Sequence, residues 1–317
     1  MNKWVISAAA IFCVTSAAIA QGYPNRPVRI LVPTPAGSGP DLVVRLAAPP
    51  MGNALGQPVI VENKPGAEGI IAASEVAKSA PDGYTLLATN STIVASNPAL
   101  KKQLPYDPLK NFALITRFVT APLMLVVKAD FPAQNLREFL AYTKERPGQL
   151  TAGWAMGGSQ VAVVQLKSLA GIKVLDVAYK GNPQAVTDVL GGRVTFAFSD
   201  TTGAFNLIKA GKLKGLAVTS PNRTALAPAL PALAELLPGF DVTVWSGLAA
   251  PAGTPQEVIN RLYEAASKAI TQPDVKARLA SLSVEASPLQ PGAFVEFSRR
   301  EIAKWAKQVK EAGIQPE

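Results

Sequence analysis

Gly37 and Gly39 lie in the run Pro33-Thr34-Pro35-Ala36-Gly37-Ser38-Gly39-Pro40, and a second glycine-rich run, Gly153-Trp154-Ala155-Met156-Gly157-Gly158-Ser159-Gln160, occurs in the other half of the chain. Each follows an apolar stretch that suits a strand and precedes one that suits a helix. Val28, Ile30 and Val32 lead into the first loop, and Leu42, Val43 and Leu46 leave it. Glycine lets the backbone approach a bound group closely. The first N–H groups of the following helix have no intrahelical acceptor and are free to receive an anion. The plainer reading of the first run is a connecting turn with Asp41 as a helix cap.

Other chemistries find little support. The chain has no histidine and one cysteine, Cys13, which removes the commonest acid–base, thiol and metal-ligand solutions. No metal site is therefore expected. Gly37-Ser38-Gly39 lacks the third glycine of the dinucleotide fingerprint, and no glycine loop ends in Gly-Lys-Ser or Gly-Lys-Thr, so no cofactor is expected either. Acidic pairs show no diagnostic spacing; Ser-Lys or carboxylate catalysis stays open, with Tyr179-Lys180 the pair to watch, and the plainer reading of that lysine is a surface or ligand-contacting one.

The elements that must position the loops read as an alternation of strands and helices. Strands are predicted at 28–32, 57–62, 84–88, 123–128, 150–152, 174–178, 194–198, 216–219 and 246–250. Helices are predicted from Leu42 to Leu55, with a break near Ala48 because Pro49-Pro50 removes backbone donors, and at 70–79, 136–146, 161–170 and 182–190. Thr254-Pro255-Gln256-Glu257 has the form of a capping box opening a further helix, with Val258, Leu262, Ala265 and Ala269 on its apolar face. A last helix within 292–313 spaces Phe294, Phe297, Ile302, Trp305 and Val309 as core residues. Two polar tetrads, Thr89-Asn90-Ser91-Thr92 and Ser199-Asp200-Thr201-Thr202, stand at C-terminal ends of strands, where open α/β sheets place ligands. Two glycine cradles, one in each half, imply two α/β lobes facing each other across a cleft.

Lys3, the uncharged run from Trp4 to Ala18 and the small residues before Gln21 form the three parts of a secretory leader, 1–20, with cleavage after Ala20. The apolar run is shorter than the ~20 residues a membrane span needs. Cys13 falls within it, leaving no disulfide or thiol chemistry after cleavage. Export without disulfides or a lipid anchor implies the periplasm. Removing the leader takes away its one charge and lowers the formal net charge of +9 by one. No block of like charges forms a nucleic-acid footprint. With 48% hydrophobic residues the chain can bury a full core.

Several runs carry a family resemblance. They are Tyr23-Pro24-Asn25-Arg26-Pro27, Val32-Pro33 with Gly37 to Asp41, Leu55-Gly56-Gln57-Pro58-Val59, Val61-Glu62-Asn63-Lys64-Pro65-Gly66-Ala67, Ala80-Pro81-Asp82-Gly83-Tyr84, Leu104-Pro105-Tyr106-Asp107-Pro108, Tyr179-Lys180-Gly181, Leu190-Gly191-Gly192 and Leu248-Ala249-Ala250-Pro251-Ala252-Gly253-Thr254-Pro255. Together they resemble the tripartite tricarboxylate transporter receptors, also called Bug proteins, over essentially the whole chain after the leader.

The resemblance implies a type II periplasmic binding fold, in which two α/β lobes are joined by two crossover strands, here near 123–128 and 246–250. Lobe 1 would comprise 21–122 plus 248–317, and lobe 2 would comprise 123–247. The implied function is capture of a small organic carboxylate for uptake by a monomeric receptor serving a tripartite tricarboxylate transporter membrane complex. In such receptors backbone N–H groups and ordered waters hold the carboxylate. The implied ligand-binding residues are Pro35, Ala36, Gly37, Ser38 and Gly39; Asn90, Ser91 and Thr92; Gly157, Gly158, Ser159 and Gln160; and Asp200. Trp154, Met156 and Gln160 stand where such receptors have small residues often ending in His; Trp154 and Met156 lead us to expect a less polar wall there, the other reading being that their side chains point into the lobe core. A secreted hydrolase or transferase on the same fold, or a ligand-sensing partner of a membrane signalling protein, are the rival readings.

Overall fold

A computed structural model describes residues 22–316 except 155, 156, 180, 225, 226, 283, 312 and 314. The leader, Met156 and Lys180 therefore lie outside the described residues.

The first lobe begins with β1 (Val28–Val32), α1 (Gly39–Leu55), β2 (Val59–Asn63), α2 (Ile70–Ala77) and β3 (Thr85–Asn90). Strand β1 runs parallel between β2 and β3. Helices cover both of its faces, which is why it is apolar at nearly every position: Ile30 and Val32 enter one core cluster, Leu31 the opposite one. After β3 the chain turns at once through a π-helical stretch, Thr92–Ser96, into α3 (Asn97–Leu100).

β4 (Phe112–Lys128) is the strand that joins the lobes. Its first half pairs antiparallel with β9, and its second half, from Leu123, lies between β7 and β8 of a second sheet. The second lobe contains α4 (Leu136–Lys144), β5 (Thr151–Trp154), α5 (Gly158–Ala170), β6 (Leu175–Ala178), α6 (Asn182–Leu190), β7 (Phe196–Asp200), α7 (Thr201–Lys209) and β8 (Leu213–Val218). Alternation along the strand again divides the core: Leu125 and Val127 face one cluster, Met124 and Val126 the other. The return crossing enters β9 (Thr243–Pro251), which pairs with both β3 and β4. Buried Thr219 ties the two crossings together. Its hydroxyl accepts from the Leu123 N–H at 2.7 Å and donates to the Val242 carbonyl at 2.6 Å.

The chain ends with α8 (Gln256–Thr271), α9 (Pro273–Ser281), β10 (Glu285–Ala286) and α10 (Pro291–Glu311). Helix α10 spans the lobes, since Phe294 sits in a first-lobe core cluster while Trp305 and Val309 sit in a second-lobe one.

Some local expectations fail for identifiable reasons. Helix α1 is unbroken through Pro49 and Pro50. Pro49 is exposed and Pro50 half-exposed, so the carbonyls they leave unpaired lie near solvent while Val43, Val44, Ala47, Met51 and Leu55 hold the buried face. The expected capping box does not form. Thr254 is buried and its hydroxyl donates to the Pro251 carbonyl at 2.8 Å, leaving Pro255 in the cap position of α8. Strand β4 starts at Phe112 rather than Leu123. Two register shifts and Arg117 interrupt the alternation that would have announced its first half.

Candidate ligand-binding site

The chain places five helical starts around one cavity of about 240 Å³ between the lobes. Gly39 and Pro40 open α1, and Ser91 and Thr92 open the turn after β3. Gly158 and Ser159 open α5, Asn182 opens α6, and Asp200 precedes α7. Each start follows the C-terminal end of a strand or the loop beyond it, so strand polarity aims the helices' electropositive ends at one place.

In the second cradle, Gly157 has φ +76° and ψ −126°, a conformation that excludes a side chain. A Cβ there would lie 3.2 Å from Thr92 Oγ1, so the loop approaches the first lobe's own helical start. The first-turn N–H groups of α5 have no carbonyl four residues back. Asn90 supports the opposite side, its Oδ1 accepting from the Ile93 N–H at 3.0 Å.

The first cradle differs from the expectation. Pro35, Ala36 and Gly37 are exposed and do not line the cavity. The Gly37 N–H donates to Asp41 Oδ2 at 2.8 Å, and the Ser38 hydroxyl donates to Thr34 Oγ1 at 2.7 Å. The loop is thus closed on itself, with Thr34, Gly39 and Pro40 facing the cavity. Asp41, 1% exposed, is its anchor: it also accepts from Asn63 Nδ2 at 2.8 Å and Arg45 Nε at 3.0 Å. Burial alone would raise the Asp41 pKa, but the Gly37, Asn63 and Arg45 hydrogen bonds outweigh it and hold the carboxyl below its usual value.

A folded-state pKa below the unfolded one gives stability that is present above the unfolded value, near 4, and is lost as pH falls through the folded value. Asp41→Asn should therefore cost about 1–3 kcal/mol at pH 7. Urea melts of both proteins should show that gap narrowing below about pH 4; a gap independent of pH would remove the carboxylate from the explanation.

Of the residues expected from sequence, Gly39, Asn90, Ser91, Thr92, Gly158, Ser159 and Asp200 line the cavity. Gly157 is buried beside it, and Gln160 lies on the first turn of α5 outside the lining. Trp154 packs against the second-lobe core instead of lining the cavity. The apolar wall is built by Val43, Val119, Ala121, Leu123, Val244 and Val284.

Sequence reading missed Asn182 and Ser246, whose Oδ1 and Oγ are buried with no hydrogen-bond partner. The signal for Asn182 was available, because Gly181-Asn182-Pro183 is another glycine before a helical start. Trp245 was also missed. It is 3% exposed, lines the cavity, and donates from Nε1 to buried Glu301 at 3.3 Å; Glu301 is paired with Lys304, which reaches Asp241 beside the return crossing.

Of the Tyr179-Lys180 pair, Lys180 lies outside the described residues and Tyr179 alone is placed. The Tyr179 hydroxyl donates to Asp188 at 2.8 Å, and burial together with that carboxylate pushes its pKa up to about 12. No group of three acidic, histidine or cysteine residues is placed to hold a metal among the described residues.

Two lobes, paired crossing strands and a cleft ringed by helical starts define a solute-binding receptor. Residues 43–314 match the TctC family, described as tripartite tricarboxylate transporter family receptor. The fold is similar to that of the periplasmic binding protein BugD, with 33% identity and a TM-score of 0.83 over 93% of this chain and 100% of that one. It is similar to Rpa4515 of R. palustris, solved with adipate, at 29% identity and a TM-score of 0.86 over 93% and 100%. MatC of Rhodopseudomonas palustris, with bound malate, aligns at 31% identity and a TM-score of 0.79 over 90% and 100%. The chain belongs to the tripartite tricarboxylate transporter receptor family, a family of periplasmic solute-binding proteins rather than enzymes.

Proposed function

We propose that this receptor captures a small organic carboxylate in the cleft and presents it, as a monomer, to a tripartite tricarboxylate-type membrane complex, with no nucleic-acid partner. The observation that carries the reading is the convergence of helical starts on a cavity whose described lining contains no cationic side chain. Neutral donors in a partly apolar site suit an anion held by N–H and O–H groups. The adipate and malate bound by the two R. palustris relatives have the same chemistry. We assign the grip to Gly39, Asn90 to Thr92, Gly158 and Ser159, with Asp200 contacting another part of the ligand. The lobes are taken as 21–122 plus 248–317 and 123–247.

At ~100 times its dissociation constant the right carboxylate should add ~2.7 kcal/mol of stability. Small-angle scattering of the same sample should show a more compact particle as the lobes close on it. A panel in which only neutral sugars or metal ions stabilise the protein would reject the reading. The exported form should begin at Gln21, and N-terminal sequencing of a periplasmic fraction that found Met1 would refute the cleavable leader.

A further inference from the structure

The two crossing strands run side by side through the first lobe and then part. Their pairing ends with Pro122 opposite Thr243, so the next pair in register would be Leu123 with Val242. That pair does not form. Strand β4 continues between β7 and β8, and Thr219, the residue after β8, stands between the two crossings at the fork.

An antiparallel pair that exchanges both of its bonds satisfies four backbone groups, and Thr219 satisfies the same four. Its N–H donates to the Leu123 carbonyl at 2.9 Å, and its carbonyl accepts from the Val242 N–H at 3.0 Å. The Leu123 N–H at 2.7 Å and the Val242 carbonyl at 2.6 Å are left to Oγ1, which accepts from one and donates to the other. Any residue could supply the first two bonds; the second two require a hydroxyl. Thr219, Leu123 and Val242 are all buried, so solvent does not stand in for it.

The fork bears on the cleft through α5. A Cβ at Gly158 would lie 3.3 Å from Leu123 Cδ1 and 3.9 Å from Val242 Cγ1, so the first residue of α5 rests against both residues that Thr219 ties. Thr219 itself does not line the cavity. In a close-packed interior a shift of the fork passes to the helix seated on it.

We propose that Thr219 is a positioning residue for ligand capture. Its hydroxyl sets the separation of the crossing strands at the fork, and through Leu123 and Val242 it holds the start of α5 in place against Ser91 and Thr92. The inference rests on the assignment of α5 to the grip and adds to it a residue outside the cavity lining.

Valine keeps threonine's shape and leaves the Leu123 N–H and the Val242 carbonyl unpaired, whereas serine keeps the hydroxyl. The test uses the full mature protein and calorimetric titration with adipate, malate and straight-chain monocarboxylates of two to six carbons, the acid that binds the wild type best being carried to each variant. Melting curves fix a temperature at which every variant is folded. There Thr219→Val should bind about tenfold more weakly and Thr219→Ser within about threefold of the wild type. A valine variant that melts lower yet binds like the wild type overturns the inference; the grip by α5 then stands if Gly158→Val abolishes binding and falls if it does not. Equal losses in the valine and serine variants assign the effect to packing of the methyl group and overturn it as well. If Thr219→Val does not fold, hydrogen exchange in the wild type decides: a locked fork makes the Leu123 amide exchange as slowly as the Thr219 amide, with or without the acid, and faster exchange at Leu123 overturns the inference.

Discussion

Gly158→Val should abolish ligand binding in a protein that still folds. A Cβ at Gly158 would lie 2.9 Å from Val244 Cγ1 and 3.3 Å from Leu123 Cδ1, side chains that belong to the two crossing strands and line the cavity. The first contact is closer than a real Cβ tolerates, and valine adds two methyl groups beyond it. The two strands are paired with each other, and β4 with β7, around these residues, so the start of α5 is the part that gives way.

Its displacement carries the Gly158 and Ser159 donors away from the position they share with Ser91 and Thr92. Losing two hydrogen bonds to a charged group, at about 1.5–3 kcal/mol each, weakens binding by roughly a hundredfold or more. Overpacking should cost about 1–3 kcal/mol of stability as well. Calorimetry with the carboxylate that stabilises the wild type best, alongside a melting curve for each protein, measures both effects. Wild-type affinity in this variant would place the ligand away from α5.

The second cradle was legible in the sequence because its glycines act locally: φ +76° at Gly157 and the close approach at Gly158 follow from residue type and position. The first was only half legible. The glycine-rich run Pro35 to Gly39 stands before a helix as the second loop does, yet Asp41 draws the Gly37 N–H inward through a network completed by Asn63 on β2, a partner that spacing along the chain does not reveal. The apolar wall shows the same limit. It was expected from Trp154 and Met156, neighbours of the second cradle; Trp154 instead packs against the core, and Val119, Val244 and Val284 reach the cavity from three separated segments.

Helix α7 was hidden for a related reason. Ser199-Asp200-Thr201-Thr202 reads as a loop, but β7 runs through Asp200 and the helix begins at Thr201 without an intervening turn. Strand-to-helix junctions of this kind, repeated at Asn90 and Ser91, put small polar residues at the cleft. They offer no glycine or proline to mark them.

Gly247→Ala should give a large loss of stability, and binding should fall with it. Gly247 lies on β9 between Thr89 of β3 and Arg117 of β4, where the β4 register shifts. A Cβ there would meet the Thr116 carbonyl oxygen at 2.5 Å, Phe294 Cζ at 2.9 Å and Arg117 Cα at 3.1 Å. Two of these three neighbours are backbone atoms, and Phe294 is fully buried, so no flexible side-chain tip can move aside. The three strands must separate at Gly247, beside the residues of β9 that reach the cleft.

The expected cost is about 3 kcal/mol, at the upper end for adding a single methyl group to a packed interior. For a chain of this size that corresponds to a melting temperature lower by roughly 5 °C. Ser246 and Trp245, the preceding residues of β9, both line the cavity and would move with the strand. Affinity for the stabilising carboxylate should therefore drop by about tenfold or more even at temperatures where the variant is folded. Gly292→Ala is the control, because nothing lies within 4 Å of a Cβ there and it is in the first turn of α10; it should be neutral or stabilising by up to about 1 kcal/mol. A Gly247→Ala variant that melts and binds like the control would show that the crossing strands are not held in the close pairing on which the cleft's geometry depends.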